Sequence, residues 1–334
     1  MTTIAVLGAG SWGTALGKAF ADHGHEVRLW ARSAELAQRL AAERENQAYL
    51  PGIQLPPNLQ PTHELVVALN GARTVLFVVP SHGLREVVVQ SLRFLPKAGP
   101  IVTATKGIEN ASLLMMSQVI EQELPSEDEH RVCALGGPSF ASETALGMPT
   151  AVCLAGRDLT LSQEIQQQLA SDRFRVYTTD DVVGVELGGA LKNVMAIAVG
   201  AADGLGFGHN ARAALITRGL AEVARLATQL GANPLTLAGL AGMGDLVLTC
   251  TGDQSRNRRV GLELARGRKL TEVLGEMRMV AEGVRTAKSA HDLAEREGVD
   301  MPITREVYQA LYEDKPPLEA VESLLSRAPR PERD

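Results

Sequence analysis

Short, continuous apolar runs recur through the first half of the chain. Residues 3–7, 26–30, 74–79, 100–105, 131–135, 151–155 and 174–177 each read as a strand, and residues 13–23 as a helix between the first two. Several of these runs are apolar throughout rather than alternating, as expected of strands buried on both faces of a parallel sheet. Strand–helix–strand repetition predicts a doubly wound α/β domain.

After about residue 185 the period changes. Residues 188–200 and 212–230 are long, Ala- and Leu-rich helical patterns. In the second, Leu215, Gly219, Val223, Leu226 and Leu230 share one face, while Arg218 and Arg225 fall elsewhere. No further strand pattern follows. The reading is therefore α/β: a dinucleotide-binding, Rossmann-like parallel sheet over residues 1–184, then an all-helical substrate domain over 185–327. A polar, Pro- and Arg-rich tail over 328–334 is expected to be disordered.

The first strand ends in Gly8-Ala9-Gly10-Ser11-Trp12-Gly13. Gly8, Gly10 and Gly13 have the spacing of a dinucleotide-binding turn, and the flanking strand and helix supply the required context. Gly8 permits the tight turn, Gly10 lets a pyrophosphate approach the backbone, and Gly13 lets the helix pack close to the strand. The main-chain N–H groups of Ser11 and Trp12 then face the anion at a helix N-terminus. The ribose reader falls at the end of the second strand, where this chain has Arg32 in place of an acid. A guanidinium there pairs with a 2′-phosphate, so the expected cofactor is NADPH, with NADH as an accepted alternative.

Composition narrows the setting. The formal charge of −6 gives no general attraction for nucleic acid or anionic membrane. Three cysteines without a CxxC pair suit neither a disulfide framework nor a zinc site, and point to reduced cytoplasm. The first apolar run passes straight into the glycine turn, which predicts no secretory leader. The apolar stretch 194–202 is too short to span a bilayer. No His or carboxylate cluster has metal-ligand spacing, and no metal is assigned.

Only seven of the 33 basic residues are lysines, and two sit in apolar or glycine-rich surroundings. Lys192 lies on a helical pattern with Gly188 and Gly189 one turn before it, which is expected to leave space beside its stem. Such a lysine either snorkels or works. Burial and a second cation would lower its pKa, as proton transfer requires. Lys106 follows the strand at 100–105, at the carboxyl end where α/β sheets bind ligands; a surface or salt-bridged lysine is the alternative. Three loops add polar groups. Gly136-Gly137-Pro138-Ser139-Phe140-Ala141 offers backbone N–H groups and a hydroxyl, and Gly242-Met243-Gly244-Asp245 carries an isolated acid. Ser255-Arg256-Asn257-Arg258-Arg259 is either a solvated basic helix start or a phosphate fork.

The motifs GAGSWGTALG, NQAYLPG, FVVPSH, TKGIE, GGPSFA, ELGGALKNVMAIAVGAADGLGFGHNARAALITRG, GMGDLVLTCTGDQSRNRRVG and VAEGVRTAKS stand in colinear order from Ile4 to about Glu322. Together they resemble the bacterial NAD(P)-dependent glycerol-3-phosphate dehydrogenases. The resemblance implies reversible reduction of dihydroxyacetone phosphate to sn-glycerol 3-phosphate, which feeds glycerophospholipid synthesis, by a cytoplasmic homodimer. It implies that Lys192 donates and accepts the catalytic proton and that Lys106 touches cofactor and substrate. Gly137, Ser139, Asn193, Asp245, Ser255, Arg256 and Asn257 match substrate contacts. Ser11, Trp12, Arg32, Ala141, Arg256, Val280 and Glu282 match cofactor contacts.

Overall fold

The computed structural model describes residues 2–277, 281–329, 331 and 332. Among the described residues there are ten strands: β1 (Thr3–Leu7), β2 (Glu26–Trp30), β3 (Glu45–Asn46), β4 (Leu50–Gln54), β5 (Leu59–Thr62), β6 (Thr74–Phe77), β7 (Ile101–Thr103), β8 (Val132–Gly136), β9 (Thr150–Gly156) and β10 (Phe174–Thr179). Eight form one sheet in the order β10-β9-β8-β7-β6-β1-β2-β5, and β3 and β4 form a separate two-stranded pair. The doubly wound α/β expectation holds. Chain order reverses at β1, which has β2 on one side and β6 on the other. That reversal opens a crevice at the carboxyl ends of the strands, where ligands bind in such sheets.

The apolar runs are continuous because the sheet is covered on both faces. Ile4 and Val6 of β1 join a core with Leu16 and Phe20 of the helix Ser11–Asp22. Ala5 and Leu7 point the other way, toward Leu84 and Val88 of the helix Leu84–Ser91 and Val119 and Ile120 of the helix Met116–Glu123.

Two strands depart from the expected parallel arrangement. β9 runs antiparallel to β8, and β10 runs parallel to β9, so both oppose the rest of the sheet. The cause is the connection after β8. It carries only the short helix Ala141–Ala145, which packs on the helix Ser11–Asp22 at the carboxyl edge instead of crossing a face. β9 therefore starts from the edge at which β8 ended. The sequence reading also passed over β3, β4, β5 and the helix Ala34–Glu43, whose N-cap Ser33 accepts the Leu36 N–H at 3.2 Å.

Among the described residues after Thr179, every regular element is helical. The helix Val182–Gly204 is the axle of this part, with 18 buried positions, and the helices Gly208–Gln229, Asp245–Thr251, Arg256–Ala265 and Glu282–Glu297 pack around it. Its apolar length would suffice to cross a membrane, but 89% of its most apolar window is buried inside the protein. Its contact with the helix Arg256–Ala265 is backbone to backbone. A Cβ on Gly200 would lie 2.0 Å from the Arg258 carbonyl oxygen, and one on Gly261 would lie 2.0 Å from that of Ile197. The expected face of the helix Gly208–Gln229 is seen: Gly219, Val223 and Leu226 are buried, and Leu215 and Leu230 pack beside them. The tail at 328–334 falls partly outside the described residues, as does Val280.

Candidate active site

The glycine turn starts where β1 ends, at the reversal point of the sheet. Gly8 has φ +130°, and a Cβ there would meet the Val78 carbonyl oxygen at 2.3 Å. A Cβ on Gly13 would lie 1.8 Å from the Gly8 carbonyl oxygen, so the helix Ser11–Asp22 rests directly on the turn. Gly10 differs from both: nothing lies within 4 Å of where its Cβ would be. Gly10 is also the N-cap of that helix and brings no side-chain cap to it. The indole Nε1 of Trp12 is buried without a hydrogen-bond partner among the described residues. An open notch, a helix start without a side-chain cap and a spare donor together fit a dinucleotide pyrophosphate.

Three residues distant in sequence meet beyond this turn. Asp245, with no exposed surface, is the first residue of the helix Asp245–Thr251, just after the π-turn Leu240–Gly244. One of its carboxylate oxygens accepts from Lys106 Nζ at 2.9 Å, and the other accepts from Lys192 Nζ. Lys106 also donates to the Gly137 carbonyl at 3.4 Å, and Ser139 Oγ donates to the same carbonyl at 3.0 Å. Thr249 Oγ1 ties down the Asp245 main chain at 2.7 Å.

The electrostatics follow from burial. Loss of solvent pushes the Lys192 ammonium pKa down to about 7; Asp245 opposes this and Lys106 reinforces it. Two ammonium groups on one carboxylate leave a net positive site when all three are ionised. Such a site suits an anionic substrate and a negative charge developing on oxygen.

The glycines before Lys192 act differently from the expectation. A Cβ on Gly188 would lie 2.4 Å from the Ala241 carbonyl oxygen, and one on Gly189 would touch the Lys106 stem at 3.9 Å. Gly188 admits the π-turn, and the Lys106 stem passes Gly189 at ordinary van der Waals distance. The lack of a side chain at Gly188 is what lets the turn before Asp245 pack against the helix that bears Lys192.

At the next residue of the helix, Asn193 Oδ1 accepts from Asn257 Nδ2 at 2.8 Å, and Asn257 Oδ1 accepts from the Gly283 N–H at 2.9 Å. Asn257 lies in the first turn of the helix Arg256–Ala265, whose N-cap Ser255 accepts the Arg258 N–H at 3.2 Å. Arg256 begins that helix, and its guanidinium makes no hydrogen bond to the described residues. Its residue surface is exposed, yet enough protein crowds the guanidinium to lower its pKa, with Glu282 pulling the other way. The exposed surface leaves the donor fork accessible. Glu282 accepts from Ser81 Oγ at 2.9 Å, and burial raises its pKa.

The structure thus brings Lys106, Gly137, Ser139, Lys192 and Asp245 into one hydrogen-bonded cluster, with the separately bonded Asn193–Asn257 pair starting at the residue after Lys192 and with Ser255, Arg256 and Glu282 nearby. Ala141 packs instead near Trp12, with Leu50 and Ala145. Arg32 stands apart, exposed beyond β2. The sequence reading did not single out Ser81, Thr249 or Asn46 as site residues. Ser81 and Asn46 did lie in quoted motifs, FVVPSH and NQAYLPG; Thr249 stands one turn after Asp245, and only the fold shows that spacing to matter.

The chain resembles known proteins along nearly its whole length. A family model described as NAD-dependent glycerol-3-phosphate dehydrogenase N-terminus matches residues 3–162, and one described as its C-terminus matches residues 181–322. The chain is 55% identical to glycerol-3-phosphate dehydrogenase [NAD(P)+] of Geobacter sp. (strain M21), over 97% of each chain. It is 56% identical to the enzyme of that name from Citrifermentans bemidjiense, again over 97% of each. The crystal structure of glycerol-3-phosphate dehydrogenase from Coxiella burnetii superposes with a TM-score of 0.93 at 42% identity, covering 98% of this chain and 99% of that one.

Proposed function

Because this chain belongs to the NAD-dependent glycerol-3-phosphate dehydrogenase family, we propose that its buried Lys106–Asp245–Lys192 cluster carries out the reduction of dihydroxyacetone phosphate to sn-glycerol 3-phosphate. The enzyme uses NAD(P)H. In this reading Gly8, Gly10, Ser11, Trp12 and Gly13 hold it, with Ala141, Val280 and Glu282 as further contacts. Arg32 favours NADPH through its 2′-phosphate, with NADH accepted. When bound, the nicotinamide supplies the hydride.

The chain's own residues hold the substrate and move the proton. Arg256, with Asn257 and Ser255, takes the phosphate through charge-assisted hydrogen bonds of about 1.5–3 kcal/mol each. Protonated Lys192 hydrogen-bonds the ketone oxygen, stabilises the charge that develops there and donates its proton. Acid catalysis of this kind is typically about 10²–10⁴-fold, or about 3–5 kcal/mol off the barrier. Asp245 and Lys106 fix the Lys192 ammonium, while Asn193, Gly137 and Ser139 border the substrate. In the oxidative direction Lys192 must be neutral to accept the proton.

The single observation that carries these roles is the sharing of one fully buried carboxylate by two lysines from distant parts of the chain. The test follows loss of reduced-nicotinamide absorbance on adding dihydroxyacetone phosphate, with NADPH and NADH compared. Substrate-dependent loss is expected with NADPH; loss with neither would overturn the reading. A homodimer in the cytoplasm, binding neither nucleic acid nor membrane, completes the proposal. The acidic net charge and the family likeness support it, and light scattering on the purified chain checks the dimer.

A further inference from the structure

The NQAYLPG segment has no part in the chemistry above, yet it is bolted to the glycine turn. Asn46 ends β3 and is 1% exposed. Its amide donates to the Ala9 carbonyl at 3.0 Å and to Thr14 Oγ1 at 2.8 Å, and its Oδ1 accepts from the Tyr49 N–H at 3.3 Å. The Tyr49 carbonyl in turn accepts from Ser11 Oγ at 2.6 Å. Leu50 and Ile53 of β4 are buried with Ala15 and Ala145, and Trp12 packs against them. At the base of the hairpin, Arg44 donates to the Leu55 carbonyl at 3.3 Å and the Leu59 carbonyl at 2.9 Å, which joins it to the sheet edge.

The bond to Ala9 has a directional consequence. In a trans peptide the C=O and N–H point opposite ways. A side chain that draws the Ala9 carbonyl toward itself therefore turns the Gly10 N–H away from itself. Gly10 is the residue whose Cβ side faces open space. We propose that Asn46 is a positioning residue for the dinucleotide: it sets the Ala9–Gly10 peptide plane so that the turn presents its N–H groups to the pyrophosphate. The inference rests on the cofactor assignment above. It assigns to an asparagine outside the glycine motif the geometry that the motif alone does not determine.

The test uses the full chain and two ligands, NADPH and adenosine 2′-monophosphate, which lacks the pyrophosphate. Binding is read by protein fluorescence or calorimetry, with thermal unfolding measured alongside. Asn46→Ala should weaken NADPH about ten- to hundredfold and leave adenosine 2′-monophosphate within about twofold. At saturating NADPH, kcat should change little. Thr14→Val is the control. It also breaks a bond to the Asn46 amide but leaves the Ala9 carbonyl held, so NADPH affinity should stay within about twofold. Asn46→Asp keeps the size and the acceptor for Tyr49 but loses the donor, and should behave like Asn46→Ala. Equal loss for both ligands, equal loss in Thr14→Val, or failure of both Asn46 variants to fold would assign Asn46 to stability and overturn the proposal. Wild-type chain that does not bind NADPH would instead overturn the cofactor reading itself.

Discussion

Removing the charge of Asp245 tests the central arrangement most directly. Asp245→Asn keeps the shape and withdraws the one negative charge that both lysines share. Lys106 lies 2.9 Å from that carboxylate, and Lys192 is bonded to its other oxygen. At an effective dielectric of about 20, a unit charge about 3 Å away contributes about 5 kcal/mol. Halving this for solvent and structural relaxation still leaves about two pKa units, at roughly 1.4 kcal/mol each. Asp245 holds the Lys192 pKa up against burial and Lys106, so its loss moves that pKa downward, from about 7 toward about 5. At pH 7 only about 1% of Lys192 would then carry the proton that reduction needs, and kcat should fall about 50-fold relative to wild type. The loss should be recoverable by acid. Between pH 7 and 6 the variant's rate should rise nearly tenfold per unit, while the wild type approaches its plateau. The assay is the pH profile of dihydroxyacetone phosphate reduction at saturating substrate and NADPH, with deuterated NADPH used to confirm that chemistry limits the rate. A variant profile with the wild-type midpoint, lowered by one constant factor at every pH, would refute the electrostatic role and leave Asp245 as a spacer.

Lys192→Ala should abolish measurable turnover while NADPH affinity, measured by fluorescence titration, stays near normal; retained turnover would remove Lys192 from its role. Arg256→Ala should raise the KM for dihydroxyacetone phosphate far more than the NADPH dissociation constant, and equal effects would place this guanidinium elsewhere than on the substrate phosphate. Glu186 is buried and accepts from the Ser117 N–H at 2.9 Å and from Ser117 Oγ, and burial raises its pKa to about 7. A carboxyl whose pKa is higher folded than unfolded binds more protons in the native state, so wild-type stability should decline as pH rises from about 4.5 to about 7. Glu186→Gln should remove about 1–3 kcal/mol of that decline. Thermal melts at pH 6 and pH 8 check it, and an unchanged pH slope would count against ionisation of Glu186.

What the sequence revealed follows the physics of each element. β1 and β2 match their predicted bounds because each carries a buried apolar set, continuous in β1 and alternating with Glu26 and Arg28 in β2, and each ends in sharp punctuation, a glycine turn for one and a polar capped helix for the other. β5 reads Leu-Gln-Pro-Thr, with a proline that only an edge strand tolerates, and the sheet order places it at the edge. Strand direction has no signature in residue period, so the reversal of β9 and β10 was invisible. At the site, Lys106 and Lys192 stood out for their surroundings. Their common partner did not, because 53 positions separate Lys192 from Asp245 and 139 separate Lys106 from it. The Gly188–Gly189 pair was visible as missing bulk, but only the packed structure shows which atoms fill the notch.

The bare backbone contact at Gly200 and Gly261 also has a meaning for substrate choice. It joins the helix that bears Lys192 to the helix whose first turn holds Arg256 and Asn257, with no compliant side chain between them. Under the roles proposed above, one helix grips the ketone oxygen and the other the phosphate. Their fixed separation makes the pair a ruler, graduated for the short carbon span between those two groups. A homologue one carbon longer would have to buckle to satisfy both ends, and a shorter one would reach only one. Length discrimination would then come from the framework, not from any residue that touches the carbon chain.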